Sequence, residues 1–138
     1  MIQIEPYLFF NGRCEEAIHF YQQSLGAEVQ LMMRYRDAPV PPHAGSLPPG
    51  NEDKVMHATL RIGNSTLMAS DGMCEGKPVF EGFRLSFAVA DVAAADRIFT
   101  ALGAGGSVQM PLAQTFWAPY FGMLTDRFGV GWMVSVVA

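Results

Sequence analysis

The sequence predicts an α+β fold in which one unit, strand, helix, strand and hairpin, is used twice. Three observations carry this. Cys14 to Leu25 and Val92 to Leu102 set apolar residues at helical spacing, and each run meets a glycine, Gly26 or Gly103. Each run is flanked by apolar segments that read as strands, with a turn signal further on. Finally, Leu25-Gly26-Ala27 recurs as Leu102-Gly103-Ala104, and Phe10 recurs as Phe87, all at an offset of 77 residues. Neither half alone would bury its sheet face, so the repeat implies two cooperating modules, about 1–72 and 83–138, in one domain.

In chain order, Ile2 to Phe10 reads as a strand that Asn11-Gly12 breaks, with the same pair capping the helix that follows. Glu15 and Glu16 lie in the first turn, where the helix dipole favours anions. Cys14, Ala17, Ile18, Tyr21 and Leu25 form the buried stripe. Ala27 to Tyr35 is a second strand. Arg36 to Asp53 holds five of the nine prolines, and a loop of that length is either a lid or a disordered excursion. Lys54 to Ile62 and Ser65 to Asp71 form a hairpin about Gly63-Asn64, a favoured two-residue turn. That turn sets Ile62 against Ser65, Leu60 against Leu67 and Ala58 against Ala69 on an apolar face under the helices. Arg61 with Thr66, Thr59 with Met68 and His57 with Ser70 fall on the opposite face.

Gly72 to Gly82 is a linker, and the pattern then restarts. Phe83 to Val89 alternates Leu85, Phe87 and Val89 with Arg84, Ser86 and Ala88. Asp91 caps a helix whose stripe is Val92, Ala95, Ile98, Phe99 and Leu102. Ser107 to Leu112 is a strand. Tyr120 to Thr125 and Val130 to Val137 make the last hairpin around the turn Asp126-Arg127-Phe128-Gly129. The stretch 116–132 holds both tryptophans and three of the ten phenylalanines; Trp117 stands outside a regular strand, between Pro111 and Pro119. Such aromatics line a cleft as readily as they fill a core.

Composition narrows the function. Half of the 138 residues are hydrophobic, the net charge is −4 and there is no basic block, which argues against nucleic acid as partner. No apolar run approaches the roughly 18 residues of a membrane span. The first residues lack the pattern of a signal peptide, and Cys14 and Cys74 make no disulfide framework, so a cytoplasmic protein is expected.

The βαβββ unit used twice resembles the vicinal oxygen chelate superfamily, which includes glyoxalase I, bleomycin-resistance proteins and extradiol dioxygenases. Within it the chain resembles the PhnB-like group. The residues are those from Phe10 to Tyr21, Val55-Met56-His57-Ala58, Met68-Ala69-Ser70-Asp71, and Trp117, Tyr120, Gly122, Asp126, Phe128, Gly129 and Trp132. The resemblance implies a cup-shaped mixed sheet with helices on its outer face, a ligand pocket inside the cup, and a homodimer. Metal-dependent members place His, Gln or Glu at four inward positions. Carried over by spacing, those positions are Pro6, Met68, Arg84 and Met133, none of which suits a hard or borderline divalent cation. No metal and no cofactor is therefore expected. A methyltransferase label occurs in the group, yet the one Gly-rich run, Gly103 to Gly106, follows a helix and precedes a strand, the reverse of a cofactor-binding turn.

The expected function is binding of an apolar or aromatic small molecule with an anionic group. Trp117, Tyr120, Phe10, Met68 and Met133 would line the pocket, with His57, Arg84 and Ser70 as polar contacts. Each also has a plain reading: the aromatics and methionines as core, His57 as a structural histidine, Arg84 as half of an ion pair with Asp71 or Glu81. No catalytic residue can be named, because no nucleophile, base and orienting group assemble from the sequence. Two alternatives stand beside this one. One is a metal-dependent lyase, isomerase or dioxygenase with a relocated metal on His57 and a carboxylate such as Asp71. The other is a structural or regulatory homodimer with a vestigial pocket.

Overall fold

The computed structural model describes residues 1–38 and 49–137. These divide into two compact units, Met1–Pro78 and Val79–Ala138. Among the described residues there are two α-helices and eight strands, in two four-stranded mixed sheets of identical topology. The predicted α+β architecture of two βαβββ modules is thus observed. Most of the proline-rich loop, residues 39–48, lies outside the described residues, as does His43.

In the first unit, β1 (Tyr7–Phe9), α1 (Cys14–Leu25), β2 (Glu28–Arg34), β3 (Val55–Ile62) and β4 (Ser65–Ser70) form a sheet ordered β1-β4-β3-β2. The hairpin register is the one the Gly63-Asn64 turn dictates: Ile62 opposes Ser65, Leu60 opposes Leu67 and Ala58 opposes Ala69. Leu8, Phe10, Ala58, Leu60, Leu67 and Ala69 are buried with the apolar stripe of α1. β1 is much shorter than the predicted Ile2 to Phe10, because its ladder spans only Tyr7–Phe9 against Met68–Ser70. Residues before Pro6 have no strand to pair with, and Ile2 and Ile4 are exposed.

The break after β1 is where the sequence put it: Asn11 and Gly12 both have positive φ. The cap is not. Neither residue caps α1; the buried carboxylate of Asp71, at the end of β4, does so across the fold. Its Oδ1 accepts the N–H groups of Gly12 at 2.7 Å and Cys14 at 2.8 Å, and its Oδ2 accepts that of Val55 at 2.9 Å. A carboxylate at a helix N-terminus answers both the unpaired N–H groups and the helix dipole.

In the second unit, β5 (Leu85–Val89), α2 (Val92–Gly103), β6 (Ser107–Ala113), β7 (Tyr120–Thr125) and β8 (Gly131–Val136) form a sheet ordered β5-β8-β7-β6. Asp91 caps α2 as expected, its Oδ1 accepting the N–H of Ala94 at 2.7 Å. Ala95, Ile98 and Leu102 are buried and Phe99 is half-buried, whereas Val92 at the helix start is exposed. The α2 side of the sheet carries Val134 and Val136, with Phe87, Val89 and Tyr120 packed on them. Gly122 allows this packing: a Cβ there would stand 2.8 Å from Phe99 Cε2 and 2.9 Å from the Met110 carbonyl. The turn at Asp126 is closed by its own side chain, which accepts the N–H groups of Phe128 at 2.8 Å and Val130 at 3.1 Å and the indole N–H of Trp132 at 2.9 Å.

Candidate functional site

Strand parity separates each sheet into a helix side and a helix-free side. In the first unit, Tyr7 pairs with Met68 and Phe9 with Ser70, so these share the helix-free side with Thr59, His57, Leu31 and Met33. Tyr7 and Phe9 stack with ring centroids 4.9 Å apart and planes 10° from parallel, and they are 38% and 49% exposed. His57 sits between two hydroxyls. Its Nδ1 is 2.7 Å from the Tyr7 phenol oxygen, and its Nε2 is 3.0 Å from Thr59 Oγ1. Burial pushes the Tyr7 phenol up from its ordinary range.

Beside this trio the chain end of β4 is pinned by short polar contacts. Ser70 donates to the Met56 carbonyl at 2.8 Å and accepts the N–H of Gly72 at 2.9 Å. Tyr35 donates its phenol proton to the Gly72 carbonyl, and burial raises its pKa too. Ser70 is buried, and its hydroxyl is engaged with backbone groups.

In the second unit, Met123 opposes both Met133 and Met110, and Phe121 opposes Ser135, giving a helix-free face of methionine and phenylalanine. Trp117 packs edge-on against Phe121 at 5.4 Å and remains 55% exposed. Arg84 crosses the same side over Gly131, where a Cβ would stand 3.0 Å from Arg84 Cγ. Its guanidinium donates to the Leu124 carbonyl at 2.9 Å and to Gln109 Oε1 at 3.4 Å. Within its own unit the ion pair considered for Arg84 with Glu81 is not formed, and backbone and amide oxygens take its place.

Two expected pocket residues are elsewhere. Phe10 is 1% exposed and faces Tyr21 of α1, ring centroids 6.3 Å apart, so it is core on the helix side; Phe9 takes the position foreseen for it. Tyr120 pairs with Val136 and donates its phenol proton to Asp96 of α2 at 2.7 Å, an acceptor that raises its pKa. Both errors are of one residue in parity. Tyr7, Phe9 and Thr59 stand on the side of His57, and of these the sequence placed only Thr59 there.

The positions carried over from metal-dependent members are also refined by register, each within its own sheet. Opposite Met68 stands Tyr7, not Pro6, and opposite Met133 stands Ser86. Neither the thioether and phenol of the first unit nor the thioether and aliphatic hydroxyl of the second belong to the His, Gln or Glu set of a divalent metal centre. Among the described residues no three His, Cys, Asp or Glu side chains come together as a metal-holding group. Asp71, the carboxylate considered for a relocated metal on His57, spends both oxygens on backbone N–H groups.

A cavity of about 350 Å³ lies on the helix side of the first unit, lined by Arg34, Arg36, Lys54, Glu15, Asp53 and Asp71 among others. Its charges are already matched. Arg34 meets Glu15 through two contacts of 2.6 and 3.0 Å, holding that carboxyl below its usual range. Arg36 meets Asp53 at 2.9 Å, and Lys54 donates to the Gly12 carbonyl at 2.9 Å.

These features can be set beside known proteins. The chain is 39% identical to Protein YjdN of Escherichia coli (strain K12), over 97% of this chain and 95% of that protein. It is similar to the crystal structure of protein PA1353 from Pseudomonas aeruginosa, with 46% identity, a TM-score of 0.84 and coverage of 99% and 98%. A putative 3-demethylubiquinone-9 3-methyltransferase, PhnB protein, from Bacillus cereus matches at 26% identity and a TM-score of 0.80, over 99% of this chain and 100% of that one. The fold alone is shared with a glyoxylase/bleomycin resistance protein/dioxygenase domain from Frankia sp. EAN1pec, at 12% identity and a TM-score of 0.69 over 100% and 97% of the two chains. Residues 2–135 match the family model described as 3-demethylubiquinone-9 3-methyltransferase, and the chain belongs to that PhnB-like family, on the glyoxalase/bleomycin-resistance fold.

Proposed function

We propose that the chain binds a small aromatic or apolar molecule carrying an anionic group, on the helix-free sheet surface and without a resident divalent metal. The observation that carries this is the make-up of that side in each unit taken by itself: half-exposed Tyr7 and Phe9 with Met68 and the anchored His57 in the first, and Trp117 with Met133 and the anchored Arg84 in the second. Aromatic and thioether walls favour a flat apolar body, and a guanidinium favours a carboxylate or phosphate.

Methyl transfer, the activity in the family's description, is not part of this reading. Gly103 closes α2 and Gly106 leads into β6, so the glycine run joins a helix to a strand. Gly106 serves packing: a Cβ there would stand 2.1 Å from the Thr125 carbonyl.

The protein is further proposed to act as a cytoplasmic homodimer, in keeping with its exposed apolar residues and its free thiols. Sedimentation at micromolar concentration tests the dimer, and a monomer would refute it.

The test of function has two arms. After loading with zinc, nickel, manganese or iron(II) and desalting, elemental analysis should find no stoichiometric metal. A thermal-shift screen of aromatic carboxylic acids should find stabilisation, about 2.7 kcal/mol at a hundredfold excess over the dissociation constant. Chelator-sensitive retention of one metal per chain would overturn the metal-free part. Absence of any stabilising acid would overturn the ligand.

A further inference from the structure

His57 is held between two hydroxyls, and the proton count of this trio changes what it offers a ligand. Tyr7 OH and Thr59 Oγ1 each lie within hydrogen-bond distance of one ring nitrogen. A neutral imidazole carries one N–H, and each hydroxyl carries one proton. Two of these three protons are used in the two internal bonds, so one points outward. An imidazolium carries two N–H groups, and both internal bonds are then donated by the ring. Both hydroxyl protons turn outward, and a positive charge stands between them. Uptake of one proton thus adds one outward donor and one charge without moving the ring.

The surroundings suit this role. The elevated Tyr7 phenol keeps its proton through the neutral range. Tyr7 is stacked on Phe9, so a flat apolar surface lies next to the donors. From each strand, the groups sharing this side are Phe9 on β1, Met68 and Ser70 on β4, Met33 and Leu31 on β2, and Thr59 and Arg61 on β3. Tyr35 follows β2 nearby, its phenol also held neutral by burial. Arg61 is the charged group on β3, with Glu28 of β2 as its register partner at the far end of the strand pair.

We infer that Tyr7, His57 and Thr59 form a proton-gated anion site, taking the carboxylate of an aromatic acid whose ring rests on Tyr7 and Phe9. It rests on the ligand-binding reading above and adds to it a regulation by pH. Protonation of His57 tightens binding, and binding draws a proton onto His57.

Benzoate is the probe, because it stays charged across the range where histidine titrates. Ring resonances of His57 in the 138-residue chain are followed by NMR from about pH 5.5 to 8.5, with and without benzoate. His19, exposed on α1, supplies the reference. The expected result is benzoate binding at least about tenfold tighter at the acidic end, with the His57 titration displaced upward by benzoate and His19 unmoved. His57→Gln should flatten the pH dependence, and Tyr7→Phe should weaken the acid-side binding. Binding that perturbs Tyr7, His57 and Thr59 equally across the range overturns the gate while leaving the ligand reading intact. No perturbation of the helix-free residues at any pH overturns both.

Discussion

Asp71 caps a helix that begins 57 residues before it: its Oδ1 accepts the N–H of Cys14 at 2.8 Å, and the same oxygen accepts that of Gly12. With Val55 on the other oxygen, one buried carboxylate ties the starts of α1 and β3 to the end of β4. Asp71→Ala leaves three N–H groups without their acceptor. The expected cost is about 3 kcal/mol or more, read as a lower urea midpoint at unchanged slope. A loss under about 1 kcal/mol would mean that water replaces the carboxylate freely.

What could be read from the chain, and what could not, follows from the range of the contacts. Gly63-Asn64 is a local signal, and through it the faces of Ala58, Leu60, Leu67 and Ala69 were assigned correctly. Asp91 and the Tyr120–Thr125 strand are equally local. The Asp71 cap joins residues far apart in sequence, and no spacing rule reaches it. Phe10 was put on the wrong face because β1 pairs in parallel with β4, where no tight turn sets the register. Tyr120 lies on the helix side because it pairs with Val136, and there its phenol meets Asp96 of α2, 24 residues earlier.

Two glycines of the second unit should respond oppositely to a methyl group. Gly122→Ala drives a Cβ into Phe99 and the Met110 carbonyl, and is expected to cost about 1–3 kcal/mol. Gly103 ends α2 with only an ordinary 3.6 Å approach to Leu124 Cδ2, so Gly103→Ala should be neutral or stabilising by up to about 0.5 kcal/mol. Thermal unfolding of both variants checks the pair, and equal effects would contradict the packing described for Gly122.

The alkaline limit of stability should depend on Cys14. Burial pushes its thiol far up, and the negative charges of Asp71 and Glu15 add to this. The folded pKa is raised, so the contribution to stability is full below the unfolded thiol pKa of about 8.5. It is lost progressively as pH rises above that, since the unfolded chain ionises first. Cys14→Ala should make the decline above about pH 8.5 shallower in denaturant titrations. An unchanged slope would assign the decline to other groups, such as Tyr7 and Tyr35.

Exposed charge is expected to matter less. Arg34 and Glu15 make a two-contact pair, and Glu15 is 44% exposed. Because the Glu15 carboxyl is lowered, its contribution is present above its unfolded pKa and lost as pH falls through the folded one. Solvent screening limits it to about 0.2–1 kcal/mol. Glu15→Gln should remove that increment at neutral pH and have a progressively smaller effect as pH falls through the folded Glu15 pKa, as measured by urea unfolding along an acid series.

Ligand chemistry in the first unit is proposed to reside on the helix-free side of the sheet and not in the charged cavity at the start of α1. Methyl-labelled methionine NMR, with benzoate as probe below neutral pH, reads this directly. Shifts are expected at Met68 and at the His57 ring, with the backbone signals of Gly12, Arg34 and Lys54 undisturbed. Shifts confined to those three residues, with Met68 and His57 silent, would contradict it.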